Sequence, residues 1–172
     1  MGISLYDVSV ASFQQTLGAV AGILKKGESH CSEHGIDLQE LVESRLHADM
    51  LPLRFQIQSV VHHSRGAIEG ARAGKFMPPS GPDHDYAGLQ QLVADACSEL
   101  DAVGREDVDS LEGRDVIFQI GDFRLDFLAE DFLMTFSLPN MHFHATTAYD
   151  ILRMRGVPLG KRDYLGRMRI KR

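Results

Sequence analysis

The groups in this 172-residue chain with chemistry to offer are its eight histidines, two cysteines and scattered carboxylates. An imidazole titrates near neutrality and is the commonest transition-metal ligand, so each histidine is weighed as a ligand or general base against a hydrogen-bonded core or surface role. His62 and His63 are adjacent, and adjacent side chains on a helix point about 100° apart, so only one of them can face a core. The wheel puts His63 beside the Leu53, Ile57 and Val60 stripe, on the same edge as Gln56. His142 and His144 would share a face only in an extended segment. The residues that follow, Ala145 to Leu152, favour a helix, which sets His144 and Asn140 on one flank of the apolar stripe and His142 on the other.

Other short patterns read as structural. His30-Cys31-x-x-His34 has ligand-type residues at short spacing, but it stands beside the helix stop Gly35 and has no second ligand pair, as expected of a solvated helix end. Asp7 suits a cap or first-turn acid, and Arg45 with Asp49 an exposed pair across one helical turn. Lys161 could bind an anion, while Leu159, Tyr164 and Leu165 beside it are better suited to packing back on the body. There is no GxxxxGK[ST] loop, no GxGxxG and no GxSxG elbow, so nucleotide-dependent and serine-hydrolase chemistry are poor fits.

Helices must position these groups. Val10, Phe13, Leu17, Val20 and Leu24 recur at steps of three and four and predict a first long helix ending at Gly35. Asp37 and Glu40 resemble a capping box for a short helix through Leu46. A second long helix is predicted from about Asp49 to Ala73, with Pro52 in its first turn and with Leu53, Ile57, Val60, Ser64, Ala67 and Ala71 on one side. Pro78, Pro79, Gly81 and Pro82 mark a loop, and Leu89 to Val103 a third helix. From Val116 to Phe127 the period changes to two around Gly121-Asp122, which predicts a type II′ hairpin that must lie on the helices or pair with another chain. A last helix begins near Asp131 or Pro139 and ends near Met154. The expectation is a mainly α fold, one four-helix-bundle domain over residues 1–166 with a short β-hairpin before the last helix and a basic tail at 167–172.

Apolar residues make up 44% and charged residues 24%, the globular average, which argues against disorder. The net charge of −6 is uneven: Lys161 to Arg172 carries +5, so the rest carries −11 by difference. An acidic body argues against nucleic-acid binding. No apolar run is long enough for a membrane span and no signal peptide opens the chain, so a cytoplasmic protein is expected. Two cysteines without CxxC spacing rule out a disulfide framework.

Three segments carry a resemblance: Ser4-Leu5-Tyr6-Asp7, Arg45-Leu46-His47-Ala48-Asp49-Met50, and Pro139 to Gly166, which reads PNMHFHATTAYDILRMRGVPLGKRDYLG. Together they resemble an uncharacterised family in the DinB/YfiT-like superfamily, over nearly the whole chain. The resemblance implies an antiparallel four-helix bundle, usually a homodimer. Better-known superfamily members often hold a divalent metal through three histidines, one on the second helix and an HxxxH pair on the last, and some resemble thiol-dependent transferases or isomerases. Carried over residue by residue, the pair falls on Asn140 and His144, and the second-helix ligand on His62 or His63. An amide thus replaces one histidine, and an amide oxygen is a poor third ligand for zinc. Two functions follow as expectations: a dimeric small-molecule-binding protein whose metal site is degenerate or absent, or a small-molecule enzyme using a divalent metal such as zinc, nickel or manganese. Neither makes catalysis certain.

Overall fold

The computed structural model describes residues 2–171; Met1 and Arg172, the last residue of the basic tail, lie outside them. Helix α1 (Leu5–Val8) opens with a reciprocal cap in which the Ser4 hydroxyl accepts from the Asp7 amide and the Asp7 carboxylate accepts from the Ser4 amide. Asp7 therefore serves as a cap, as its position suggested. Helix α2 (Val10–His34) ends on Gly35, whose φ of 65° lies in the left-handed region that glycine enters without a Cβ penalty. Helix α3 (Leu38–Val42) is capped by Asp37 alone, its carboxylate accepting from the Gln39 amide at 2.9 Å. Glu40 takes no part, and the helix stops short of Leu46.

The next helix also starts later than expected. Helix α4 (Leu53–Val61) has Pro52 at its N-cap rather than inside its first turn. Proline disfavours the helical conformation in the residue before it, which holds Asp49 to Leu51 outside the helix. Arg45 and Asp49 are consequently not a helical pair; both are exposed, and Asp49 instead accepts from His47. After α4 the helix widens into a π-helical turn, His62–Gly66, and resumes as α5 (Ala67–Ala73). Strand β1 (Lys75–Phe76) and the loop through Pro78 to Asp85 lead into α6 (Tyr86–Asp101), followed by the short α7 (Arg105–Asp109). Strands β2 (Asp115–Ile120) and β3 (Phe123–Leu128) come next. Then α8 (Ala129–Asp131), a second π-helical segment (Phe132–Ser137) and α9 (Leu138–Met154) form one continuous helix, and α10 (Lys161–Leu165) closes the fold.

The four long helices make two antiparallel pairs. In the first, the Tyr86 hydroxyl of α6 donates to the Leu24 carbonyl of α2 at 2.7 Å, while Gln14 near the start of α2 donates to Asp101 at the end of α6. In the second, Gln56 of α4 meets His144 of α9, and His63, about two turns later, meets Phe136, about two turns earlier. Across the pairs the chains run parallel, with Gly27 facing Leu152 and His30 facing Gly156. Phe13, Leu17, Leu24, Leu53, Ile57, Leu89, Leu100 and Leu152 are all essentially inaccessible within one continuous core.

The hairpin pairs as its alternation predicted, Phe118 opposite Leu125 and Ile120 opposite Phe123. Gly121 alone in its turn has positive φ, 55°, as a type II′ turn requires. The two-stranded expectation is corrected by β1, which adds a parallel third strand with Phe76 opposite Phe118. A two-residue strand has too little alternation to announce itself. Among the described residues no helix is long and apolar enough to cross a membrane.

Candidate functional site

Gln56 is the fixed point of the site. It is buried on α4, and its Nε2 donates to the Leu51 carbonyl at 2.8 Å, where the chain enters the helix. That contact orients the amide, since the opposite assignment would press two oxygens together. Its Oε1 then meets His144 Nδ1 at 2.8 Å and can only accept, so His144 carries its proton on Nδ1 and leaves Nε2 as a free base. The half-buried His144 ring lies edge-on to Phe55 and Phe143, at centroid distances of 5.8 and 5.3 Å. Burial pushes its pKa down to about 4, so the imidazole is neutral at physiological pH.

His63 lies beside it, the two rings nearly parallel (14°) with centroids 5.9 Å apart. His63 is the second residue of the first π-helical turn. A π turn holds one more residue than an α turn and rotates everything beyond it, and such insertions concentrate at functional sites. The opposing π segment supplies Phe136, whose ring contacts His63 at 5.7 Å. Burial pushes the His63 pKa down to about 3, with the neighbouring imidazoles of His62 and His144 adding to the effect, and its Nδ1 has no hydrogen-bond partner. His62 is turned away and stacks on Phe76 at 4.2 Å. Burial lowers its pKa to about 4, against a smaller upward effect of the Met77 backbone, and its Nε2 too is unpartnered.

The choice of His63 over His62 as the core-facing residue agrees with the geometry, which joins His63 and His144. Asn140 stands one turn before His144, but its amide nitrogen donates back to the Phe136 carbonyl at 2.7 Å. His142 points elsewhere, its Nδ1 3.2 Å from the Tyr164 hydroxyl. His30 and His34 pair only with each other, rings 4.2 Å apart at the end of α2. Leu159 is buried and Tyr164 partly so, in keeping with a packing role for the segment that holds Lys161. Sequence reasoning missed Gln56 as the partner of His144, although its place seven residues before His63 was visible. It also missed both π segments, which have no simple residue signature. A third omission is a cleft of about 310 Å³ between the first π turn and the proline-rich loop, walled by Phe55, His62, Arg65, Pro79 and His84. Phe55 forms part of this wall and also touches His144.

Comparison with known proteins agrees with this architecture. Residues 5–165 match the domain of unknown function DUF1993. The chain belongs to that family. A solved structure of a DinB family member protein from Shewanella denitrificans is 29% identical, with a TM-score of 0.78 covering 98% of this chain and 95% of that one. No curated protein matches the chain. This DUF1993 protein is therefore mainly helical, with a DinB-like bundle and an inserted small sheet.

Of the three-histidine metal set implied by the superfamily, this DUF1993 chain brings together two imidazoles and an amide. Two imidazoles, His63 and His144, come together, whereas His62 is committed to Phe76 and Asn140 offers only an amide oxygen. Among the described residues no three His, Cys, Asp or Glu side chains are arranged to hold an ion. Zinc sites use at least three strong protein ligands, and this pair falls one short.

Proposed function

We propose that this DUF1993 protein is a dimeric small-molecule-binding protein whose recognition groups are the neutral imidazoles of His144 and His63. The Gln56–His144 contact carries the reading, because it presents a free Nε2 acceptor at a half-buried position with aromatic walls. Neutral imidazoles accept hydrogen bonds and offer no positive charge. The favoured ligand is accordingly a compact neutral molecule with a hydroxyl, thiol or amide donor and an apolar body to lie against Phe55 and Phe143. The test is a ligand-observed NMR screen of small alcohols, thiols and amides against the native chain and its His144→Ala and His142→Ala variants. Binding lost in the first variant and kept in the second supports the site; binding unaffected by His144→Ala, or absent throughout, sinks it.

A second reading is favoured by the unpartnered His63 Nδ1, a ligand-type atom buried beside the free base of His144. In it, a divalent zinc, nickel or manganese ion bound by His144 and His63, with help from Asn140, serves a transferase- or isomerase-like reaction. Metal content after purification without an affinity tag separates the two readings. Stoichiometric metal that His144→Ala removes would replace the metal-free reading. No metal, together with no thermal stabilisation by added zinc, nickel or manganese, would eliminate this second one.

A further inference from the structure

Helix α1 and the second π segment enclose a groove whose chemistry neither reading uses. It is lined by the apolar side chains of Ile3, Leu5, Val8 and Met134 and by the carboxylates of Asp109, Glu112 and Glu130, with a volume of about 620 Å³. No basic side chain lines it. Arg105 is engaged elsewhere, donating to Asp7 Oδ1 and Ser4 Oγ, each at 2.9 Å. Asp109 and Glu130 each use one carboxylate oxygen to accept a backbone amide, from Tyr6 and Gly113, and Glu112 makes no side-chain hydrogen bond among the described residues. Ile3 is 82% exposed and Met134 39% exposed, so the apolar walls are open to a partner.

The complementary chemistry is in the chain itself. Arg167, Met168, Arg169, Ile170 and Lys171 alternate basic and apolar side chains, and Met168 and Ile170 are 52% and 72% exposed. The protein's own tail is placed in the adjoining hollow, where Arg169 stands with Gly2, Ile3, Asp7, Val8, Ser12 and Leu138. It leaves the acidic groove without a cation. We propose that this groove receives the basic C-terminal segment of a second copy, the two copies exchanging tails about a two-fold axis. Each copy then offers one basic strand and one acidic groove, the self-complementary arrangement a two-fold dimer requires. Arginine and lysine of the incoming tail meet Asp109, Glu112 and Glu130, while Met168 and Ile170 cover Ile3 and Met134.

This inference rests on the dimeric part of the proposed function, and sedimentation of the full chain tests both separately. Three proteins are compared at low and high salt: the native chain, a Glu112→Lys variant, and a tail variant carrying Arg167→Glu, Arg169→Glu and Lys171→Glu. The expected result is a native dimer whose dissociation constant rises at least tenfold with salt and at least tenfold in either variant. An equimolar mixture of the two variants should regain dimer, because each supplies the reversed partner of the other. The tail variant alters only exposed residues, and unchanged thermal unfolding of both variants excludes misfolding. A dimer indifferent to both variants overturns the tail exchange and leaves the dimeric reading standing. A monomer under all conditions overturns both.

Discussion

The two antiparallel helix pairs of this bundle are built differently. Helices α2 and α6 are regular throughout, and their contact is close: Gly27 lies so near Tyr86 that an added Cβ would collide with its hydroxyl, itself bonded to the Leu24 carbonyl. The opposite pair carries both π-helical segments. The four buried side-chain atoms that make no hydrogen bond among the described residues, His62 Nε2, His63 Nδ1, Arg65 Nε and Ser137 Oγ, all fall within those two segments, although Arg65 Nε lies 3.7 Å from the Glu69 carboxylate. Buried polar atoms are nearly always paired, and an unpaired one costs about 1–3 kcal/mol. The contrast separates a regular pair of helices from a pair whose π-helical segments carry buried polar atoms without hydrogen-bond partners beside the histidines.

Phe132, the fully buried residue that opens the second π segment, packs against Phe76, Phe127 and Phe136. Phe132→Ala should cost about 3–5 kcal/mol in denaturant unfolding, the usual loss for a core aromatic. A cost under about 1 kcal/mol would show that the aromatic cluster does not support the π-helical pair.

Acid should reveal the same pair through its histidines. The folded pKa values of His62, His63 and His144, about 4, 3 and 4, lie below the unfolded value near 6.5. Below pH 6.5 the unfolded chain binds more protons than the folded one. The stability these groups contribute is therefore fully present above that pH and is lost as pH falls toward 4–3. One imidazole accounts for at most about 1.4 kcal/mol per pH unit. With a discount for partial exposure and mutual coupling, the three together should lose roughly 2–3 kcal/mol between pH 6.5 and 5. In His63→Phe the pH slope of the unfolding midpoint should be shallower by about a third, and an unchanged slope would mean that His63 does not titrate as a buried neutral group.

The regular pair is probed by Gly27→Ala. Helix propensity alone would favour alanine by about 1 kcal/mol, but the displaced Tyr86 hydroxyl should turn this into a loss of roughly 1–2 kcal/mol. In a Tyr86→Phe background the obstruction is removed, so the same substitution should become neutral or stabilising; equal effects in both backgrounds would contradict the close approach.

The smallest effect sharpens the contrast. Ser137→Ala deletes an unpartnered hydroxyl and should change stability by less than about 0.5 kcal/mol, or raise it. Ser64→Ala deletes a hydroxyl that donates to the Val60 carbonyl at 2.7 Å and should cost about 1 kcal/mol. Parallel thermal melts of the two variants decide whether the unpaired state of Ser137 persists in solution.

Periodicity makes most of the bundle legible in the sequence. The stripes of α2, α6 and α9, the stop at Gly35 and the hairpin around Gly121 follow from local rules, because burial of one helix face and the φ demanded by a turn are written in consecutive residues. The boundaries at α3 and α4 were misjudged where two local signals competed: Asp37 capped through Gln39 without Glu40, and Pro52 excluded the residues before it from the helix. For the site, the residue types were legible and their partners were not. His63 and His144 could be singled out by wheel position and resemblance, yet Gln56, 88 residues before His144, meets it only because α4 and α9 run antiparallel.

Composition and spacing by themselves determined a helical bundle with an acidic body, a basic tail and a handful of imidazoles on its second and last helices. Tertiary structure alone decided that β1 completes a sheet, that His63 and Phe136 from the two π segments meet, and that burial keeps three histidines neutral. The physical reason is range. Helix periods and turn angles are set by neighbours along the chain, whereas desolvation, ring contacts and the choice of a hydrogen-bond partner are set by residues brought together only when the helices pack.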